Sequence, residues 1–248
     1  MLWWERLTFF FADVSIATNE SYKRIALERG KMPPEKVFVV RSGPKLDRLR
    51  IIPPVERLKN GRRFLVGYVG VMGQQEGIDY LLRAIRHIVQ ERGRSDIQFG
   101  LVGGGTSLDE MKDYARQLGV SDYVTFTGRV PDQELLEMLN TADVCVNPDV
   151  ANEMNDKSTM NKIMEYMALG KPIVQFDLTE GRFSARRASL YAKQNDEVDF
   201  AEKILELIDN EALREEMGEF GRQRVTHELE WKYEAPKLLA AYDCLFKG

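Results

Sequence analysis

The sequence predicts an α/β fold, a doubly wound parallel sheet of the Rossmann type. From residue 64 onward, short apolar runs alternate with helical patterns of about 10 to 15 residues, an order typical of βαβ units. The runs are apolar nearly throughout, as expected of strands that helices cover on both faces. Glycine-containing loops follow several runs at their carboxyl ends, which is the edge where such sheets bind ligands.

Residues 1–60 precede this repeating pattern and predict a smaller unit with a linker. An aromatic helix opens the chain, residues 13–18 follow as a strand, and Asn19 is predicted to cap a second helix. Residues 37–40 form a second predicted strand, and the proline-containing stretch 42–60 is typical of a linker. Two strands are too few to build an independent core.

The repeating part has a regular succession of predicted elements. Its strands are predicted at residues 64–69, 97–102, 123–127, 143–147, 173–176 and 190–192. Its helices are predicted at residues 78–90, 108–118, 132–139, from 158 or 159 to 169, 198–209 and 211–226.

The composition argues against several classes of protein. With 248 residues and 44% hydrophobic content, the chain can bury a sizeable core, which argues against wholesale disorder. The formal charge of -4 argues against a general nucleic-acid-binding surface, and no apolar run reaches the roughly 20 residues of a membrane span. Cys145 and Cys244 are interpreted as reduced thiols, and His87 with His227 are too few for a structural zinc site.

The first residues of the chain are rich in aromatic side chains, including Trp3 and Trp4, but carry charge in their middle. They lack the basic start and the small-residue cleavage site of a signal peptide. Two interpretations stay open: the helix packs against a domain that this chain lacks, or it lies on a membrane surface as an anchor.

The stretch 155–174 carries the strongest functional signal. Ser158 or Thr159 is predicted to cap a helix by accepting a hydrogen bond from a free backbone N–H, and Gly170 with Pro172 ends that helix. A helix N-terminus presents unpaired N–H groups and a partial positive charge, so it can bind an anion. We therefore expect this element to hold a sugar nucleotide.

Two glycine-rich loops lie at the same predicted edge of the sheet, at residues 70–77 and 103–105. Their glycines, among them Gly70, Gly73 and Gly104, either let the backbone approach a diphosphate closely or serve only tight turns. Neither the dinucleotide fingerprint G-x-G-x-x-G nor a P-loop occurs, which argues against a dehydrogenase.

Glu165 and two lysines supply charges near the start of the predicted helix. The Glu165 carboxylate can accept hydrogen bonds from two hydroxyls, as acidic residues do with a ribose diol, or it can be a solvated surface group. Lys157 and Lys162 can pair with a diphosphate or with solvent.

Together these elements resemble the family 4 retaining glycosyltransferases of GT-B architecture, from residue 13 to the C-terminus. The strongest segment is NKIMEYMALGKPIV at 161–174. The segments 101–105, 124–131 and 142–148 also match, and the tail 230–242 is similar to the closing helix of the family. The resemblance implies the nucleotide-binding C-terminal half of a two-domain enzyme.

The resemblance also implies a set of donor-binding residues. Glu165 would hold the nucleotide ribose as the second acid of the family's E-x7-E motif, and Thr127 with Gly128 would line the base. No metal and no cofactor other than the nucleoside-diphosphate sugar as co-substrate is expected. The expected donor-binding residues are Gly70, Gly73, Gly104, Thr127, Gly128, Ser158, Thr159, Met160, Asn161, Lys162 and Glu165.

The resemblance divides the chain into three parts. Residues 1–60 would be the remnant of an N-terminal acceptor domain with a linker, 61–228 the nucleotide-sugar-binding Rossmann-like domain, and 229–248 a helix that packs back toward the N-terminal part. The expected partners are a nucleotide sugar, a saccharide or lipid-linked acceptor, and a missing acceptor domain, with no nucleic acid. The expected location is cytoplasmic or peripheral at the inner face of a membrane.

Three positions depart from the pattern of the family. Lys157 stands where the family has the acid that contacts the donor sugar, so Glu153 or Asp156 would have to replace it. Val71 and Glu76 stand where the family has an arginine and a lysine, and Glu76 brings the wrong sign of charge to a diphosphate.

Other residues would have to compensate for these departures. Lys157, Lys162 or Arg182 is expected to supply the missing positive charge, and residues 184–187 are expected to extend a basic lining along the same loop edge. The catalytic residue stays unassigned, and the candidates are Asp156 and Lys157.

The resulting expectation is a hexosyltransferase-type glycosyltransferase for polysaccharide or glycolipid assembly, transferring with retention. Because the chain has only the last elements of the acceptor domain, we expect it to be inactive or weak by itself. Two alternatives stay open. One is a GT-B sugar-nucleotide epimerase that attacks the same donor with water, and the other is a non-catalytic nucleotide-binding or interaction module.

Overall fold

The computed structural model describes residues 2–246, and a six-stranded parallel sheet lies at its centre. The strands of the chain are β1 Ser15–Ala17, β2 Val37–Val39, β3 Phe64–Val69, β4 Ile97–Val102, β5 Val124–Gly128, β6 Val144–Asn147, β7 Ile173–Phe176 and β8 Ser189–Ala192. The large sheet has the order β5-β4-β3-β6-β7-β8, and β1 and β2 form a separate parallel pair. The predicted α/β fold with a doubly wound parallel sheet is confirmed.

The order of the strands places a crevice above the middle of the sheet. β3 pairs with β4 in register from Phe64 opposite Ile97 to Val69 opposite Val102, and it pairs with β6 on its other side. The chain therefore winds outward from β3 in one direction and from β6 in the other. In such sheets a ligand binds outside the carboxyl ends of the strands at this switch point.

The helices cover both faces of the sheet and extend beyond it. They are α1 Leu2–Phe11, α2 Glu20–Glu28, α3 Ile78–Arg86, α4 Leu108–Gln117, α5 Asp132–Thr141, α6 Glu153–Asp156, α7 Asn161–Ala168, α8 Thr179–Ala185, α9 Glu197–Ile208, α10 Glu211–Arg224 and α11 Trp231–Phe246. The helices α6 and α8 were not predicted, because both are short and lack a clear apolar period. A π-helical turn follows both α3 and α10, at His87–Glu91 and Val225–Leu229.

The alternation of side chains along β3 separates two apolar cores. Val66 and Tyr68 pack into the core that α3, α4 and α9 cover, whereas Leu65 packs into the core that α5 and α7 cover. All three side chains are almost fully buried. The near-continuous apolar sequence of the strand follows from this burial on both faces.

The N-terminal segment packs against the last helix of the chain. The buried carboxylate of Glu234 in α11 accepts a hydrogen bond from the backbone N–H of Arg41, just beyond β2. The aromatic rings of α1 include Trp3, Trp4 and Phe10, which are all largely exposed. Among the described residues no helix is both long enough and apolar enough to span a membrane.

Candidate functional site

Three loops meet at the carboxyl edge of the sheet and are joined by backbone hydrogen bonds. After β3, the N–H of Gly70 donates to Val102 and that of Met72 donates to Gly104, both at 3.0 Å. After β4, the N–H of Gly103 donates to the carbonyl of Gly128 at 2.9 Å. The predicted residues Gly70, Gly104 and Gly128 therefore belong to one connected surface.

Gly103 shows why glycine is needed where these loops meet. Its φ of +136° lies in a region that residues with a side chain rarely adopt, and an added Cβ would lie 1.8 Å from the carbonyl oxygen of Gly70. At Gly73, by contrast, an added Cβ would meet nothing within 4 Å. Open space therefore lies beside Gly73, where the sequence predicts the close approach of a diphosphate.

The helix α7 begins later than predicted. Its N-cap is Met160, and no side chain caps it. The proposed capping role of Ser158 and Thr159 is wrong, because both hydroxyls have other partners. The Ser158 hydroxyl donates to the carbonyl of Met154 at 2.7 Å, and the Thr159 hydroxyl accepts from the amide of Asn19 at 3.0 Å. At the other end, Gly170 follows the helix with a φ of +68°, as predicted.

The uncapped start of α7 leaves consecutive backbone donors unpaired. Within residues 2–246, the N–H groups of residues 159–162 donate to no acceptor, and the next one, of Ile163, donates to Met160 at 3.2 Å. Four unpaired N–H groups at the positive end of a helix form a site for an anion. The predicted donor-binding residues Ser158 to Lys162 therefore form the segment that carries these unpaired N–H groups.

Glu165 lies one turn further along α7 and borders a cleft of about 220 Å³. Its carboxylate makes no hydrogen bond or ion pair with any residue of the described chain. Burial raises the pKa of this carboxyl, and the positive charge of Arg48 opposes the shift. The cleft is lined by Ser42, Gly43, Pro44, Lys45, Arg48, Leu49, Asn161, Met164 and Glu165. A half-buried acceptor without a protein partner can receive hydroxyl groups of a ligand.

Thr127 and Gly128 lie at the end of β5, where the resemblance places the base of the nucleotide. The Thr127 hydroxyl donates to the carbonyl of Gly128 at 2.8 Å, and Gly128 has a φ of +68°. The loop leads directly into α5, whose first residue, Asp132, pairs with Arg48 at 3.0 Å. Arg48 in turn lines the cleft of Glu165, so the two predicted regions share a border.

Lys162 reaches the loop edge but is already paired. Its ammonium lies 2.9 Å from Glu76 Oε2 and 2.8 Å from Asp149 Oδ1, and 5.0 Å from the ring centre of Tyr68. The Lys162 side chain is 11% exposed and that of Asp149 is 1% exposed. With both carboxylates ionised, this buried cluster carries more negative than positive charge.

The burial of this cluster shifts the pKa values of its members. Burial raises the pKa of Asp149 to about 6, although Lys162 opposes the shift. Burial alone would lower the pKa of Lys162, but Asp149, Tyr68 and Glu76 raise it above its ordinary value, so the ammonium stays charged. The second oxygen of Asp149, Oδ2, is buried and has no hydrogen-bond partner within the described residues.

The other cations expected to compensate also have acidic partners. Lys157 donates to Glu153 at 2.6 Å, and Arg182 donates to both oxygens of Asp177. The predicted basic lining at 184–187 is wrong, because residues 184 and 185 end α8 and the next two precede β8. Arg186 and Arg187 therefore lie at the amino edge of the sheet, opposite the loops described above.

The catalytic candidates face a different cleft. Asp156 accepts two hydrogen bonds from Thr179, through its backbone N–H at 2.8 Å and its hydroxyl at 3.0 Å. Asp156 and Lys157 line a cleft of about 380 Å³ between α6 and α2, together with Arg24. Asp156 therefore has a structural partner in Thr179. The catalytic role of Asp156 or Lys157 stays a prediction.

Sequence reasoning missed Asp149, the deepest acid of the cluster around Lys162. Its signal was its position two residues after β6, at the carboxyl edge where polar residues gather. No group of three or more His, Cys, Asp or Glu side chains within the described chain is arranged to bind a metal ion.

Comparison with solved structures confirms the fold. Sucrose-phosphate synthase from Thermosynechococcus elongatus superposes with a TM-score of 0.83 at 22% identity, covering 99% of this chain and 61% of that one. HepE from Anabaena, in complex with UDP and glucose, superposes with a TM-score of 0.81 at 16% identity, covering 96% and 65%.

Comparison with sequences identifies the family. The 2-deoxystreptamine glucosyltransferase of Streptomyces kanamyceticus is 25% identical over 246 residues, covering 94% of this chain and 60% of the relative. The chain spans 44%, 60% and 51% of the lengths of three curated relatives that it matches. The family model described as "Glycosyl transferases group 1" matches residues 63–210. Because this match covers more than half of the chain, the chain belongs to the group 1 glycosyltransferases.

Proposed function

We propose that this chain is the donor-binding part of a family 4 retaining glycosyltransferase. It binds a nucleoside-diphosphate sugar and takes part in transferring a hexosyl group to a saccharide or lipid-linked acceptor. The observation that carries the proposal is the start of α7, where unpaired N–H groups at 159–162 stand one turn from the unpartnered carboxylate of Glu165. The presence of UDP in the structure of HepE, which shares the fold, supports a nucleotide as the ligand.

In this proposal each part of the site has its own task. The unpaired N–H groups of 159–162 bind the diphosphate, and the positive end of α7 stabilises the charge that develops when the diphosphate leaves. Glu165 accepts hydrogen bonds from the ribose hydroxyls, and the cleft between α7 and the linker encloses the nucleoside. Fixed backbone donors need little reorganisation during the reaction, so positioning supplies much of the effect.

Under the proposed division of the chain, sugar transfer requires an acceptor domain in addition to these residues. Residues 1–60 contribute the end of an acceptor domain, 61–228 bind the donor, and 229–248 pack back toward the N-terminal part. Another domain supplies the rest of the acceptor site, so this chain alone binds donor but transfers weakly or not at all. In this proposal the enzyme works without a metal ion or cofactor, in the cytoplasm or at the inner face of a membrane.

A non-catalytic nucleotide-binding module is the second candidate, and one observation favours it. The cluster of Lys162, Glu76 and Asp149 carries excess negative charge near the start of α7, where the proposed diphosphate would need a cation, so donor affinity would rest on backbone N–H groups. A module that binds a nucleotide weakly and transfers nothing would tolerate that arrangement.

Isothermal titration calorimetry of the full chain against UDP and GDP tests the proposal. We expect one of them to bind with a dissociation constant below about 1 mM, because a smaller free energy than about 4 kcal/mol would leave the site empty at ordinary donor levels. A sugar transfer assay with the matching donor then separates the two candidates. Binding without transfer, even when a separately expressed acceptor domain is added, favours the module. No heat with either nucleotide at millimolar concentration contradicts both.

A further inference from the structure

Asn19 joins the N-terminal segment to the loop that precedes α7. It is fully buried, and its side-chain oxygen accepts from the N–H of Tyr22 at 2.9 Å, which caps α2. Its side-chain nitrogen donates to the carbonyl of Lys157 at 2.8 Å and to the hydroxyl of Thr159 at 3.0 Å. Both N–H bonds of the amide therefore hold residues that are 138 and 140 positions away in sequence.

The bond to Lys157 lies where an additional first turn of α7 would close. In an α-helix the N–H of residue 161 donates to the carbonyl of residue 157. Here Asn19 donates to that carbonyl, and the N–H of Asn161 is one of the unpaired donors. Asn19 likewise donates to the Thr159 hydroxyl, which would otherwise be free to cap the helix. Asn19 thus bonds both acceptors that could close the first turn, and neither of them accepts a hydrogen bond from the start of α7.

We propose that Asn19 is a positioning residue for donor binding. It fixes residues 157–160 so that the N–H groups of 159–162 stay unpaired and face the diphosphate. The proposal rests on the proposed function, because it assigns a new role at the same site. Asn19 itself does not touch the ligand, and it acts through the carbonyl of Lys157 and the hydroxyl of Thr159.

A second contact between the same two parts offers a matched control. The Ser21 hydroxyl donates to Glu180 at 2.7 Å, and Glu180 also accepts from Arg41 at 3.1 Å. Ser21 therefore connects α2 to α8, whereas Asn19 connects α2 to the loop before α7. Removal of either contact weakens the same interface, but of the two residues only Asn19 bonds the segment that precedes α7.

The position of Asn19 also couples the site to the N-terminal segment. Because Asn19 caps α2 and holds the loop with one amide, packing of the segment and order of the loop depend on each other. Coupling of this kind is reciprocal, so a bound diphosphate stabilises the segment by the same factor that the segment strengthens binding.

The test compares Asn19→Ser with Ser21→Ala in the full chain. Serine is a good N-cap residue, so Asn19→Ser keeps the cap of α2 and loses the reach to Lys157 and Thr159. We expect Asn19→Ser to weaken UDP or GDP binding about 30-fold, since two hydrogen bonds of about 1 kcal/mol each order the loop. We also expect hydrogen exchange to accelerate at the two hydrogen-bonded amides that flank the unpaired donors, those of Ser158 and Ile163. Ser21→Ala should leave both nucleotide affinity and that exchange unchanged.

Thr159→Val provides a second, independent variant, because it removes one acceptor of Asn19 and keeps the shape of the side chain. Combined with Asn19→Ser it should cost less affinity than the sum of the two single changes. Unchanged exchange at the amides of Ser158 and Ile163 in Asn19→Ser, or a loss of affinity no larger than in Ser21→Ala, overturns the proposal. A third outcome separates the two proposals: the wild type binds neither nucleotide, while Asn19→Ser still accelerates exchange. In that case the proposed function is wrong and Asn19 has no role in donor binding. The faster exchange would still show that Asn19 orders the loop before α7.

Discussion

The two halves of the candidate site, which the proposed function assigns to the nucleoside and to the phosphates, differ in how many of their charged side chains already have partners in the protein. On the nucleoside side, Glu165 is half-buried, borders an open cleft and has no partner among the described residues. On the phosphate side, Lys162 is buried and held by both Glu76 and Asp149. One half presents an unused acceptor, and the other presents a cation that is already neutralised.

For the proposed function, this difference implies that a diphosphate is bound by the backbone more than by side-chain charge. The unpaired N–H groups of 159–162 are neutral donors, so they attract an anion without a counter-ion that must first be displaced. Lys162 instead stabilises the buried carboxylate of Asp149 and the partly exposed carboxylate of Glu76, and its removal would leave both uncompensated. The following changes probe each half separately.

Lys162→Met should have the largest effect. It leaves Asp149 buried without its cation, so the free energy of unfolding should fall by about 3–5 kcal/mol, the range typical of a broken buried ion pair. Urea denaturation measures the loss. The double variant Lys162→Met with Asp149→Asn removes the uncompensated charge and should recover a large part of it. A double variant as unstable as the single one would show that packing of the lysine stem, and not charge, is responsible.

Glu165→Gln should weaken nucleotide binding next most strongly. Hydrogen bonds to a charged acceptor contribute about 1.5–3 kcal/mol, so we expect a loss of about 10- to 100-fold in calorimetry with UDP or GDP. Stability should change little, because Glu165 has no partner within the described residues. Glu216→Gln, on the exposed surface of α10, is the matched control and should bind as the wild type does. Equal affinity of the two variants for the nucleotide would show that Glu165 does not contribute to binding.

Asp149→Asn should change affinity by a smaller factor and in the opposite direction. It removes one negative charge beside Lys162, so nucleotide binding should tighten severalfold at neutral pH. Stability gives a second readout with a defined sign. The folded state raises the pKa of Asp149 from 3.8 to about 6, so the proton bound to this carboxyl stabilises the folded protein. That stabilisation is complete below pH 3.8 and is lost as the pH rises through about 6. The gain of the variant over the wild type in urea denaturation should therefore grow across that window, and a constant difference would contradict the assignment.

Acid titration of nucleotide binding should show the smallest effect. Burial raises the pKa of Glu165, so its carboxylate takes up a proton at a higher pH than an exposed glutamate does. Protonation removes an acceptor, so affinity should decline on acidification while pH is still above the ordinary value of 4.5. Calorimetry between neutral and mildly acidic pH measures the decline. The same decline in Glu165→Gln would assign it to another group.

Some elements could be predicted to the residue from sequence, and the reason is local. β3, β4 and β7 begin and end as predicted, because each is an apolar run between polar or glycine-containing segments. The stop of α7 at Gly170 was also predictable, since the following proline cannot continue the helix. The short helices α6 and α8 were missed because tertiary contacts stabilise them more than local propensity does.

The sequence by itself determined the parallel sheet, the edge at which its loops gather and the type of residue found there, including Glu165 and Lys162. Periodicity and spacing are properties of residues that are close together in the chain, so they can be recognised in the sequence alone. The tertiary structure alone decided the start of α7 and the charge at the phosphate side. Asn19 reaches the loop before α7 from 138 positions away, and Glu76 pairs with Lys162 across 86 positions. Hydrogen bonds and ion pairs between such distant residues depend on folded geometry, and no local pattern predicts them.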